Sequence, residues 1–291
     1  MVIMCMGMII NTIMATTTAT ITNMITRTTM IMATSTITII TMITITSTGM
    51  ITTIITDTNT RMTDAIGFAG LDLALLAWAS PAYPVGAFAY SHGVEWAVES
   101  GDITDGESLH AWLTDILTAG SGRNDAILFV AAWQAARRDP TALTDIAELA
   151  IALAGASERR LESLQQGAGF LAATRAAWPS PKLEACAAAI GADTAYSVCF
   201  AAAVAARDLP LRPALDIYLS TFLSNIVSAA VRLSTIGQTE GQKIIARLST
   251  AIGPLADTVE HATLDDLGGH AFRADLAALH HETQYSRLFR S

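Results

Sequence analysis

The chain has 291 residues, a formal net charge of −9 at pH 7 and a pI near 5.0. This acidic balance argues against a nucleic-acid-binding protein, which needs clustered Lys and Arg. The three cysteines form no CxxC pair, which disfavours a disulfide framework and a structural zinc site. The mean hydropathy of +0.43 suggests a membrane protein, but it averages two unlike segments.

The first segment is built mainly from Thr, Ile and Met. Its residues 1–60 carry only two charged side chains, Arg27 and Asp57, and all eleven Met residues of the chain lie at or before Met62. We predict that residues 1–61 are a low-complexity extension, either unstructured or translated upstream of the true start at Met62. An export or anchor segment is the alternative. Against it, the uninterrupted apolar run covers only residues 1–10, too short to span a bilayer, and no basic residue precedes it.

Residues 62–291 are predicted to form one all-α domain of about ten helices, because apolar residues recur at helical spacing and no alternating strand pattern occurs. The clearest helix begins after Thr104 or Asp105 and carries one core-facing stripe: Leu109, Trp112, Leu113, Ile116 and Leu117. Proline, glycine and apolar spacing delimit the other predicted helices. These span residues 71–80, 87–100, 124–138, 141–154, 157–178, 181–190, 194–207 (capped by Asp193), 215–236, 239–251, 253–261 and 267–281.

The stretch at residues 79–96 is more elaborate than an ordinary helix connection. Pro81 and Pro84 hold the chain extended, and Gly86 frees the backbone at a turn. Aromatic, imidazole and carboxylate groups then follow closely: Phe88, Tyr90, His92, Glu95 and Trp96. They match no catalytic pattern, so we interpret the stretch as a fixed corner of a scaffold.

Patterns for catalysis and cofactor binding are missing from the sequence. It contains no HExxH, no GxxxxGK[ST] and no GxSxG. His280, His281 and Glu282 are predicted to be a solvated helix end, because adjacent helical residues diverge and do not form one metal site. His110 is predicted at the edge of the core, and Gly237 is predicted to end one helix directly before a new helix starts. Cys186 and Cys199 are expected to behave as small buried hydrophobes.

The last residues, HETQYSRLFRS at 281–291, combine interface-type side chains. Tyr285, Leu288 and Phe289 are spaced to share one helical face, with Arg287 and Arg290 beside them. Aromatic residues and Arg are favoured anchors of protein interfaces, so we predict that this segment docks a partner. The alternative is a frayed terminus.

Three motifs together carry a family resemblance: SPAYPVGAFAYSHGVE at 80–95, GQTEGQ at 237–242 and HETQYSRLFRS at 281–291. In this order, over about 230 residues, the chain resembles the urease accessory protein UreF family. Tyr83 and Val94 depart mildly from the family pattern, which has Phe and Leu there. The segment before Met62 has no counterpart in the family.

The resemblance implies an all-helical, dimerising cytoplasmic protein without catalysis or a cofactor of its own. It implies a complex with the accessory protein UreD (also called UreH) that recruits the GTPase UreG to apo-urease, modulates GTP hydrolysis and promotes nickel insertion. The partner-binding positions it implies are Pro84, Gly86, Tyr90, His92, Glu95, Gln238, Gln242, Tyr285, Arg287, Leu288, Phe289 and Arg290. Whether nickel touches the chain stays open. The alternatives are an independent nickel-binding chaperone, a helical enzyme and a helical membrane protein.

Overall fold

A computed structural model describes residues 72–291 of the chain. The predictions for residues 1–61 and for a start at Met62 lie outside these residues. The described part is all-α, as predicted, with eleven α-helices, three short 3-10 helices and no strand. The α-helices are α1 Leu73–Trp78, α2 Val94–Glu99, α3 Gly106–Thr118, α4 Ser121–Arg138, α5 Leu143–Ala152, α6 Ser157–Ala177, α7 Pro181–Ile190, α8 Tyr196–Ala206, α9 Leu211–Arg232, α10 Gln238–Val259 and α11 Phe272–His281. The 3-10 helices are Ala87–Ala89, Pro140–Ala142 and Leu264–Asp266.

Local signals in the sequence set several helix ends. The Asp105 side chain accepts a hydrogen bond from the Ser108 backbone N–H, and the Ser108 hydroxyl completes a capping box at the start of α3. The predicted apolar stripe of α3 is buried. The Ser180 side chain caps α7, and Pro181 occupies its first turn, where a missing N–H costs nothing. The prediction of helices 106–118 and 181–190 is confirmed.

The core is centred on α8, all of whose residues are buried. Its many Ala side chains let neighbouring helices approach closely. The Phe200 ring stacks on Phe170 at 5.0 Å, and Trp78 meets Phe200 edge-on at 5.9 Å. Cys186 and Cys199 are buried and free, as predicted, and burial raises the pKa of the Cys199 thiol to about 12.

The predicted helix 87–100 is wrong, because left-handed backbone divides it. Gly86, His92 and Gly93 have φ angles of 75°, 59° and 78°. The chain therefore forms a 3-10 turn and then α2 in place of one helix. A Cβ on Gly93 would lie 3.1 Å from the backbone nitrogen of Ala278, so the absence of a side chain lets α11 pack closely there.

Other helix boundaries also differ from the prediction. The two predicted pieces 239–251 and 253–261 are one helix, α10, which continues through Pro254. A proline inside a helix costs about 3 kcal/mol. The buried stripe that spans this proline offsets the cost: Ile244, Leu248, Ile252, Leu255 and Val259. In α8, Ala195 and not Asp193 is the N-cap residue.

Within residues 72–291, one helix, α9, has the length and apolar composition to cross a bilayer. Of the most apolar 18-residue stretch of this helix, 50% is buried inside the protein. A core helix that packs in the interior meets the same criteria.

Candidate partner-binding site

The tail, residues 282–291, lies against the N-terminal motif, residues 80–95. The backbone N–H of Arg290 donates to the Ala89 carbonyl at 2.8 Å, and the N–H of Ser91 donates to the Ser291 main-chain oxygen at 2.8 Å. The tail is irregular after α11, so the predicted helical face of Tyr285, Leu288 and Phe289 does not form. The two segments, about 200 positions apart in the chain, form one surface.

Glu95 is the residue of the motif that holds the tail most directly. It is 6% exposed, and its carboxylate accepts two tail backbone N–H groups: Leu288 at 2.6 Å and Phe289 at 2.9 Å. Hydrogen bonds to a charged acceptor are stronger than neutral ones. Glu95 therefore fixes the path of the tail through its backbone, independently of the tail side chains.

His281, the last residue of α11, lies beneath this junction and is 0% exposed. Its Nε2 is 3.1 Å from Glu95, and its Nδ1 is 2.5 Å from Glu158 of α6. Arg287 of the tail donates to the second oxygen of Glu158 at 2.5 Å. The prediction of a solvated helix end at His281 is wrong, because Glu158 and Glu95 come from distant parts of the chain. His280, next to it, is exposed and stacks on the Trp96 ring at 5.1 Å.

His92 is buried among polar and aromatic groups. Its Nε2 is 2.7 Å from the Ser121 hydroxyl, and its Nδ1 lies 3.6 Å from Glu162, beyond hydrogen-bond distance. The Phe222 ring meets the imidazole edge-on at 5.0 Å. Burial, assisted by the positive charge of Arg159, lowers the pKa of His92 to about 4 despite the nearby Glu162. His92 is therefore a neutral ring at neutral pH.

Glu162 links this buried cluster to the end of the tail. It forms an ion pair with Arg159 and accepts a hydrogen bond from the Ser291 hydroxyl at 2.7 Å. Burial by itself would raise the pKa of Glu162, but the positive charge of Arg159 and the hydrogen bond from Ser291 hold that pKa below its usual range. The tail thus meets a carboxylate that stays ionised.

Tyr90 and Arg290 meet at one acceptor on α6. The Tyr90 hydroxyl donates to the Gln165 side-chain oxygen, and Arg290 Nη1 lies 3.5 Å from the same oxygen. The Tyr90 ring is buried, and burial raises the pKa of its hydroxyl. It consequently remains a hydrogen-bond donor.

Arg232, at the end of α9, lies between two aromatic rings of the site. Its guanidinium carbon is 3.8 Å from the centre of the Phe88 ring and 4.4 Å from that of Phe289. It also donates to the Phe88 carbonyl. Phe88 belongs to the motif and Phe289 to the tail, so Arg232 joins the two segments through cation–π contacts. No signal in the sequence indicated Arg232, because the contact depends on where α9 ends in space.

The outer face of this junction combines apolar and basic side chains. Phe88 and Leu288 are each 75% exposed, and Tyr285 is fully exposed. Arg287 and Arg290 are exposed beside them. Large exposed apolar groups next to Arg are characteristic of protein interfaces.

The remaining predicted positions are Pro84, Gly86, Gln238 and Gln242, and all four are exposed. Pro84 is exposed, and its carbonyl packs so closely on α6 that a Cβ on Gly169 would lie 2.9 Å from it. Gly86 is exposed in open space. Gln238 and Gln242 are exposed at the start of α10, and no hydrogen bond recorded for residues 72–291 joins them to the tail. Gly237 is the N-cap of α10, so the predicted new helix start there is confirmed, whereas the preceding helix α9 ends earlier than predicted, at Arg232.

A cavity of about 220 Å³ lies beside the site, between the starts of α4 and α6 and the face of α11. Asp125, Arg159 and Asp275 are its charged lining residues. Burial raises the pKa of Asp125 to about 6, although Tyr218 and Ser197 donate hydrogen bonds to its carboxylate. Among the residues that the structure describes, no group of three or more His, Cys, Asp or Glu side chains is arranged to hold a metal ion.

Comparison with known proteins agrees with the motifs. The family model of UreF matches residues 103–249 of the chain. A protein from Xanthobacter autotrophicus, named urease accessory protein UreF, is 53% identical over 220 residues, which cover 75% of this chain and 90% of the relative. The chain belongs to the UreF family.

Other UreF proteins support the same assignment. The relative from Azorhizobium caulinodans is 50% identical over 220 residues, covering 75% of this chain and 95% of its own. The relative from Mesorhizobium japonicum is 47% identical over 230 residues, covering 79% of this chain and all of its own, 100%. The segment matched by the UreF model lies between the motif and the tail and contributes Glu158, Glu162 and Arg232 to the site. Those three residues were missed by sequence reasoning.

Proposed function

We propose that this chain is a non-catalytic scaffold of urease maturation. In this role it binds UreD (UreH), recruits the GTPase UreG to apo-urease and modulates GTP hydrolysis while nickel, the cargo, is inserted. Membership of the UreF family supports the role of urease accessory protein. A homodimer within the complex and a cytoplasmic location are parts of the same proposal.

The observation that carries the proposal is the bonding of the tail to Glu95. Two backbone N–H groups of the tail donate hydrogen bonds to this one buried carboxylate, at 2.6 and 2.9 Å. These bonds give the tail a definite path, and a tail that already follows this path would bind at a lower entropy cost. Phe88 of the motif and Tyr285 and Leu288 of the tail are exposed and available to a partner.

The chemistry of the exposed face indicates the kind of surface that would meet it. Phe88, Tyr285 and Leu288 fit an apolar patch, and Arg287 and Arg290 fit acidic groups at its rim. We assign this face to UreD.

The test separates surface recognition from folding. Leu288→Ala removes a 75% exposed side chain at the site, and Leu73→Ala removes an 80% exposed side chain on α1 as a matched control. We expect Leu288→Ala to weaken co-purification with UreD about tenfold or more, with no change in helical content. Equal binding by Leu288→Ala and Leu73→Ala would contradict the assignment of this face.

Two further measurements address the other classes of function. An independent nickel chaperone would bind nickel tightly and stoichiometrically in a titration of the isolated chain. A scaffold would change GTP hydrolysis by UreG, and the isolated chain would catalyse no reaction by itself.

The proposed homodimer is tested by light scattering of the complex with UreD, which we expect to contain two copies of this chain.

A further inference from the structure

The junction beneath the tail contains two carboxylates, one imidazole and one guanidinium: Glu95, Glu158, His281 and Arg287. We infer that His281 is an imidazolium ion, and that it is the positioning residue through which the body of the protein holds the tail. The consequence for partner binding rests on the proposed function; the protonation and the positioning do not.

The first support is the hydrogen-bond geometry of the ring. Both nitrogens of His281 face carboxylate oxygens, Nδ1 at 2.5 Å from Glu158 and Nε2 at 3.1 Å from Glu95. A neutral imidazole has one N–H and one lone pair, whereas an imidazolium has two N–H groups. A neutral ring would point its lone pair at an ionised carboxylate. Two donors satisfy both contacts.

The second support identifies the group that carries the extra proton. Each oxygen of Glu95 already accepts a tail N–H, from Leu288 and from Phe289. Hydrogen bonds of this kind stabilise the ionised carboxylate. Glu158 is ionised for a different reason, because Arg287 donates to it at 2.5 Å. The proton therefore resides on the His281 ring.

The third support is the balance of charge. The groups that face His281 are Glu95 from α2 and Glu158 from α6, and Arg287 of the tail faces Glu158. His281 is 0% exposed, and the side chains of Glu95 and Glu158 are only 7% and 14% exposed. Two negative groups and Arg287 leave one negative charge uncompensated, which is costly where water is excluded. An imidazolium brings the cluster to neutrality.

The location of His281 explains why this charge would position the tail. The residue ends α11, and the tail begins directly after it. Its ring holds Glu95, which binds the tail backbone, and Glu158, which binds the tail side chain Arg287. Loss of the ring would leave the two carboxylates facing each other without a cation between them. Both groups that bind the tail would then shift.

The protonation is tested on the wild-type chain alone. We expect a spectrum of the ¹⁵N-histidine-labelled full chain at neutral pH to show both ring nitrogens of His281 carrying hydrogen. A resonance pattern with one protonated nitrogen would overturn the assignment. Because this measurement uses no variant at His281, it decides the protonation whether or not a substituted chain folds.

The positioning role is tested by a matched pair of variants, His281→Gln and His280→Gln, in the full chain. Hydrogen exchange of the Leu288 and Phe289 amides is the readout, with circular dichroism to verify folding. We expect about tenfold or faster exchange in His281→Gln, because a charge-assisted contact is lost, and a change within about twofold in His280→Gln. Equal exchange in the two variants would refute the positioning role.

Binding to UreD is measured last, on the same pair of variants. His281 could be an imidazolium in the wild type, and the tail amides could exchange faster in His281→Gln, while that variant binds UreD as the wild type does. This combination would retain the inference and reject the tail surface as the UreD site. Weaker UreD binding by His281→Gln than by His280→Gln supports both. The failure of the inference is thus distinguishable from the failure of the proposed function.

Discussion

Burial of a neutral His92 makes the stability of the fold depend on pH. We predict that His92→Asn abolishes this dependence of the free energy of unfolding on pH. Asn tolerates left-handed backbone better than most residues, which suits the φ of 59° at this position. The substitution removes a titrating ring without adding a new charge.

The magnitude follows from the pKa of His92, which falls from 6.5 to about 4 in the folded protein. Each pKa unit is worth about 1.4 kcal/mol, so the difference corresponds to about 3 kcal/mol. Above pH 6.5 the His92 ring is neutral in both the folded and the unfolded protein, and titration of His92 takes nothing from the free energy of unfolding. As pH falls from 6.5 to about 4, the unfolded chain takes up the proton first, and the free energy of unfolding decreases.

The assay is urea unfolding of the wild type and His92→Asn, followed by circular dichroism between about pH 8 and pH 4. Loss of the ring contact with Phe222 produces an offset that does not depend on pH. On this background, the wild type should lose about 3 kcal/mol more than the variant as pH falls. A difference between the two proteins that stays constant over the whole range would refute the burial of a neutral His92.

Three further predictions concern the same region. Asp125 should make the free energy of unfolding depend on pH in the opposite direction, and Asp125→Asn should remove that dependence. Burial raises the pKa of Asp125 from 3.8 to about 6, so the stability that Asp125 contributes is present below pH 3.8 and is lost as pH rises through about 6. In the same unfolding assay the variant should gain about 2.5 kcal/mol relative to the wild type between pH 4 and pH 7.5, and a constant difference would contradict this. Arg232→Lys keeps the charge but loses planar stacking, so tail amides should exchange about fivefold faster while helical content is unchanged; unaltered exchange would exclude a role for stacking. Gly93→Ala should cost about 2 kcal/mol or more in unfolding free energy, because positive φ and a close backbone contact both oppose a side chain. Gly86→Ala has the same positive φ but open space, so its cost should be about 1 kcal/mol, and equal losses would show that the contact is unimportant.

Sequence reasoning recovered the features that arise within a few residues of one another. Pro181 and Gly191 bound α7 because ring constraints and C-terminal capping act over one helical turn. The stripe of α3 was predicted because a period of 3.6 places its members on one face. The three motifs also predicted the family, which the comparisons show.

Packing overrode local preference at two places. The helix expected at 87–100 is divided because His92 and Gly93 take left-handed backbone, which lets α11 pack closely on Gly93. The reverse happens at Pro254, where a local break was expected and the buried stripe of α10 keeps the helix continuous. Local preferences of this size, about 1–3 kcal/mol, are comparable to the burial of one or two side chains.

The candidate site shows the same division between local pattern and tertiary structure. The sequence by itself determined that residues 80–95 and 281–291 carry interface-type and motif residues within a helical protein of the UreF family. Only the tertiary structure decided that Glu95 receives the tail and that His281, expected in solvent, lies buried between Glu95 and Glu158. The partners of His281 are 186 and 123 positions away in the chain. Helix-forming patterns act between near neighbours and do not specify which acid a distant imidazole will meet; the packing of α2, α6 and α11 does.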